Sequence, residues 1–153
     1  MNPDPESAPE AQRAGRPGTG PAVVRAPRAV FDAIVDHAHA ASPAECCGVL
    51  LGSDGRIAAA VPTVNRSDDP NRFIVDPQGH MDARREARRL SIEVVGFYHS
   101  HVRSSARPSD RDLAEASYPG HLYVIVSLAT EDADMRVFRL ESDRFAEVEL
   151  VWE

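Results

Sequence analysis

The stretch from Gly96 to Asp112, GFYHSHVRSSARPSDRD, constrains this chain more than any other. It leaves an apolar run with two histidines one residue apart, crosses a polar turn, and ends in Ser-x-x-Asp. Side chains alternate faces along a strand, so His99 and His101 point the same way, with Cα atoms roughly 6–7 Å apart. Two imidazoles so placed can converge on one metal ion at about 2.0–2.1 Å per bond. Pro108 suits the first turn of a helix, and residues three apart share a helix face. Ser109 and Asp112 then look the same way, and the intervening turn is long enough to fold them back over the histidines. Two nitrogens and one carboxylate leave a fourth tetrahedral position open, the arrangement in which catalytic zinc is held.

Simpler readings exist for each part. Ser109-x-x-Asp112 is also a capping box, with the serine capping the helix and the acid reaching back to its backbone. An exposed strand end tolerates histidine. The whole spacing, His-x-His, seven residues, then Ser-x-x-Asp, is far more restrictive than its parts. A capping serine is compatible with a metal-binding Asp112.

That spacing resembles the HxHx7SxxD signature of the JAMM (MPN+) metalloprotease family. The segment PAECCGVLLG at 43–52 resembles the one that supplies the family's upstream glutamate. The similarity covers most of Arg28 to Trp152. It implies that His99, His101 and Asp112 are zinc ligands, one ion per chain, and that Glu45 is the acid–base residue. It also implies that Ser109 helps to stabilise the tetrahedral intermediate. The family commonly carries proline after the second histidine; this chain has Val102.

At 153 residues the chain is long enough for one domain with a real core. The net charge of −7 draws nothing toward nucleic acid. No apolar run reaches the roughly 18 residues of a membrane span. The N-terminus lacks a basic start followed by an apolar stretch, so no secretory signal is expected and a cytoplasmic location is. The adjacent Cys46 and Cys47 form no disulfide framework.

Residues 1–27 hold six of the twelve prolines and three of the nine glycines, with few large apolar side chains. They are expected to be a disordered tail, leaving 28–153 as the domain. Arg28 to Ala41 reads as a helix with Phe31, Ile34, Val35 and Ala38 in one stripe. His37 and His39 face different directions on it and are expected at the surface or its boundary, not as ligands. Cys46 to Leu51 and Ile57 to Val64 read as a hairpin, and Phe73 to Val75 as a short strand. A second helix opens at Asp76-Pro77. Its Arg84, Arg85, Arg88 and Arg89 make a basic outer face, read as a solvated surface or a dock for an acidic partner. Ile92 to Tyr98 and His121 to Leu128 are apolar enough for central strands. Asp134 to Leu140 and Phe145 to Trp152 complete the set.

The expected fold is therefore α/β, a mixed curved sheet flanked by helices; the resemblance adds the MPN/JAMM domain and a likeness to the cytidine deaminase fold. Deaminase chemistry is unsupported, because the His-x-Glu and Pro-Cys-x-x-Cys elements are missing. The resemblance implies hydrolysis after the C-terminal Gly-Gly of a ubiquitin-like or sulfur-carrier protein, including release of cysteine from such a carrier. Two other readings are a non-catalytic scaffold of the same fold and a zinc amidase acting on a small metabolite. Oligomeric state is not legible.

Overall fold

The computed structural model describes residues 20–153. Seven strands form one mixed sheet that closes on itself in the order β1-β3-β2-β4-β5-β6-β7. They are β1 (Val23–Ala26), β2 (Cys47–Ser53), β3 (Arg56–Thr63), β4 (Glu93–His101), β5 (Leu122–Ser127), β6 (Asp134–Glu141) and β7 (Arg144–Trp152). Three helices accompany them: α1 (Arg28–Ala41), α2 (Pro77–Arg89) and α3 (Asp110–Glu115). None is long and apolar enough to cross a membrane.

The tight β2–β3 turn uses Gly55, whose φ of 75° suits a residue without a side chain. β4 and β5 run parallel, and the connection between them carries α3. Alternation along the central strands divides the core in two. Leu50, Tyr98, Val124, Val126 and Val137 face α1, which buries Val30, Ile34 and Ala38 against them. Val49, Leu51, Phe97, Tyr123 and Leu140 face the other way, toward Ala83 and Ala87 of α2. His99 and His101 follow Phe97 at intervals of two, so they share the α2 face.

Two expectations change. The expected short strand at Phe73–Val75 is a loop held by a single bridge, Asn65 to Val75. The other change concerns the tail. Residues 1–19 lie outside the described residues, but the segment before Arg28 is not all tail. Val23–Ala26 pairs in parallel with Glu149–Trp152, and Arg25 stands opposite Arg56, closing the sheet. Val24 and Ala26 are fully buried. The buried Arg139 guanidinium also donates to the Pro21 carbonyl at 2.8 Å. Four residues are too few for periodicity to reveal a strand, and this one pairs only with distant chain. His37 sits half-buried at the boundary of the core, its Nδ1 meeting the Tyr98 hydroxyl at 2.7 Å.

Val24→Ala should cost roughly 2 kcal/mol by leaving a cavity that the closed sheet cannot collapse. A chain starting at Pro27 should likewise unfold at lower urea than one starting at Gly20. Equal urea midpoints for the two truncations would show that β1 adds nothing to stability.

Candidate metal centre and active site

β4 brings His99 and His101 to its carboxyl end, both buried. The chain then turns back on itself over 102–109. His101 Nδ1 meets the Ser105 carbonyl at 2.7 Å, and Ser127 Oγ donates to the Ser104 carbonyl at 2.6 Å. Ala106 is fully buried against Ile125 and Phe138. These three anchors fix the loop without a proline at 102.

The loop delivers α3. Ser109 Oγ accepts from the Asp112 amide at 3.0 Å, and Asp112 Oδ2 accepts from the Ser109 amide at 2.8 Å. This is a complete capping box. It also aims Asp112. Its Oδ2 lies 3.2 Å from His99 Nε2 and 3.1 Å from His101 Nε2, and the two Nε2 atoms are 3.2 Å apart. His101 Nδ1 can only donate to a carbonyl, so in the neutral ring Nε2 is bare. Three electron-rich atoms thus point at one small volume, an arrangement that needs a cation or shared protons. His99, His101 and Asp112 each offer one ligand atom to a metal ion there. The Ser105 carbonyl thus holds the neutral His101 ring in the tautomer that leaves Nε2 free to bind a metal.

Without a metal, protons must do the cation's work. Burial would raise the Asp112 carboxyl, but the bonds to His101 and His99 outweigh it and hold it well below the usual carboxylate range. Burial lowers His99, whereas the bonds of His101 to Asp112 and Ser105 more than offset burial and raise it.

Glu45 precedes β2, where Cys47 pairs with His99. The Cys46 amide donates to buried Ser100 Oγ at 2.8 Å, tying this segment beside the histidines. Glu45 is only 8% exposed, and its Oε2 has no hydrogen-bond partner among the described residues. Burial pushes its carboxyl up to about 7. A buried carboxyl with an empty oxygen is poised to accept and release a proton near neutrality.

Two residues escaped sequence reasoning. Phe73 stacks on His99 with centroids 4.3 Å apart, covering one face of its imidazole. Asn65 uses its whole amide: Nδ2 donates to the carbonyls of Glu45 and Arg72, and Oδ1 accepts from the amides of Ser67 and Ile74. It therefore fixes both the Glu45 backbone and the loop bearing Phe73. An Asn at the end of a strand was the only available signal. Cys46 and Cys47 are buried, free and raised in pKa by burial, which makes them inert. A cleft of about 550 Å³ opens from Asp112 between Phe73 and Tyr118.

A family model described as prokaryotic homologs of the JAB domain matches residues 27–141. The chain belongs to that family. It is 36% identical to a desampylase of Haloferax volcanii over 80% of this chain and 91% of the relative. It is 34% identical to a CysO-cysteine peptidase of Mycobacterium tuberculosis over 64% of this chain and 68% of the relative. Among solved structures, protein DSY2949 of Desulfitobacterium hafniense superimposes with a TM-score of 0.80 at 29% identity, over 86% of this chain and 93% of that one. The JAB-family fold thus agrees with the α/β expectation.

The sign of the Glu45 perturbation gives a test in metal-free protein. Its folded pKa, about 7, lies above its unfolded value, so the folded state holds the proton more tightly. That contribution is present at low pH and is lost as pH rises through about 7, on the order of 2–3 kcal/mol. Glu45→Gln cannot ionise and should exceed the wild type in urea midpoint at pH 8, with the gap shrinking toward pH 5. A gap independent of pH would refute the buried, perturbed carboxyl.

Proposed function

We propose that this JAB-family chain is a zinc-dependent peptidase that hydrolyses the peptide or isopeptide bond after the C-terminal Gly-Gly of a ubiquitin-like or sulfur-carrier protein, cysteine adducts included. The observation that carries the reading is the convergence of His99 Nε2, His101 Nε2 and Asp112 Oδ2 within 3.2 Å of one another beside the unpartnered Glu45. Relatives called a desampylase and a CysO-cysteine peptidase support the substrate class.

Two nitrogens and one carboxylate oxygen suit zinc, with a position left for water or substrate. When bound, zinc supplies Lewis acidity and makes hydroxide available near pH 7. The chain's own residues do the rest. Glu45 takes a proton from the attacking water as its oxygen adds to the carbonyl carbon. It then passes that proton to the leaving nitrogen as the C–N bond breaks. The Ser109 hydroxyl oxygen is occupied as an acceptor by the Asp112 amide, so its O–H remains to donate to the developing oxyanion. Phe73 shields His99 from water, and Asn65 keeps Glu45 in place. A cytoplasmic location belongs to the same reading.

Purified protein should carry about one zinc per chain, and His99→Ala or Asp112→Ala should lose most of it. Equal zinc in wild type and both variants would remove the site assignment. The decisive measurement is cleavage of a fusion in which a peptide or cysteine follows a carrier's Gly-Gly. Glu45→Gln should retain zinc and lose about 10²–10⁴-fold in rate. Undiminished cleavage by that variant would leave Glu45 a bystander. A fully zinc-loaded wild type that cleaves no such fusion would favour the scaffold or small-metabolite readings.

A further inference from the structure

The basic face of α2 is not uniform. Arg85 lies 3.6 Å from Asp82, and Arg89 pairs with Glu86 at 2.6 Å, both within the helix. Arg84 and Arg88 have no carboxylate within 4.0 Å among the described residues. Instead they wall a second cleft of about 550 Å³ with Tyr118 and His121. His80 and Tyr118 line this cleft and also the one that opens from Asp112. The two are therefore adjoining halves of one groove.

His80, Arg84 and Arg88 stand four residues apart, so they form one ridge along α2. The ridge is about 12 Å long at 1.5 Å per residue, the length of three or four extended residues. Burial keeps His80 and His121 below the ordinary imidazole range, so at neutral pH the charge here comes from the two guanidiniums. One carboxylate, Glu93, shares the lining and leaves a positive excess. The chain as a whole carries −7, which makes a net basic groove beside the candidate site a local exception.

We propose that the Arg84–Arg88 half of this groove binds carboxylate side chains of the carrier protein, upstream of its Gly-Gly, while the Asp112 half takes the tail itself. The proposal rests on the function argued above and adds how the substrate is recognised. A Gly-Gly tail offers only backbone, so discrimination between carriers must come from residues before it. Guanidiniums facing a partly apolar cleft are suited to bind carboxylates in two-point contacts.

The test reads binding separately from cleavage. The probe is a short fluorescein-labelled peptide ending in Gly-Gly with an acidic Glu-Asp-Glu stretch four residues upstream, against its Gln-Asn-Gln counterpart. Anisotropy with the zinc-loaded full chain at low salt should show the acidic peptide bound about fivefold more tightly. The preference should vanish in Arg84→Gln/Arg88→Gln. It should persist in Arg85→Gln/Arg89→Gln, which removes the same net charge from the helix-paired positions. Both double variants change exposed positions, and matching urea midpoints would establish that they fold. Equal binding of the two peptides by wild type, or equal loss in both double variants, overturns the proposal. Acid-selective binding without cleavage of any Gly-Gly fusion would overturn the peptidase reading and leave the groove standing.

Discussion

The site depends on one register, the antiparallel pairing of β2 with β4. Cys47 opposite His99 fixes the height at which the segment before β2 leaves the sheet. The Cys46 amide bonded to Ser100 Oγ, and the Ser100 amide bonded to the Cys46 carbonyl, extend that pairing past the regular ladder. Glu45 is therefore carried on a rigid strand entrance next to the histidine strand, not on a free loop. A slip of one residue would turn His99 and His101 to the α1 side of the sheet and separate them from Asp112. The packing around the register opposes such a slip: Gly48 lies so close to the Tyr98 ring that no side chain fits there.

Asp112 reaches the same point by local means. Its carboxylate serves the capping box and the two histidines at once, through the same Oδ2. The cap and the candidate metal site thus share one carboxylate oxygen, so a capping role for Asp112 does not compete with a metal role. The helix is only six residues long and buries no residue fully, so hydrogen bonds more than packing set its position.

Most of this was legible in the sequence because it was local. The His-x-His alternation, the Ser109-x-x-Asp112 cap, the bounds of α1 and the start of α2 follow from periodicity and capping within a few residues. β4 runs on through His101 and does not stop at Tyr98, because its ladder to β5 extends to the His101–Ser127 pair. What escaped was long-range. β1 exists only by pairing with β7, at the other end of the chain, and with Arg56. Phe73–Val75 has strand-like residues, but Asn65 binds this loop through side-chain bonds that a ladder would otherwise supply. Glu45 could be singled out only through its resemblance to a family segment, since a glutamate at a strand entrance normally faces water. Its burial comes from the loop above it, held by the Glu45 amide on the Pro70 carbonyl and by Asn65 on the Glu45 carbonyl.

The two carboxyls act on stability in opposite senses. Asp112, depressed, contributes stability above its unfolded pKa that is lost as pH falls. Glu45, raised, withdraws stability as pH climbs through about 7. The histidine bonds outweigh burial at Asp112, whereas at Glu45 burial prevails. A divalent cation held by His99, His101 and Asp112 would oppose the burial penalty on ionised Glu45 by placing a positive charge beside it. Metal binding would therefore be coupled to the ionisation of Glu45. Such a cation would pull the Glu45 carboxyl toward its ionised form, the form that can accept a proton.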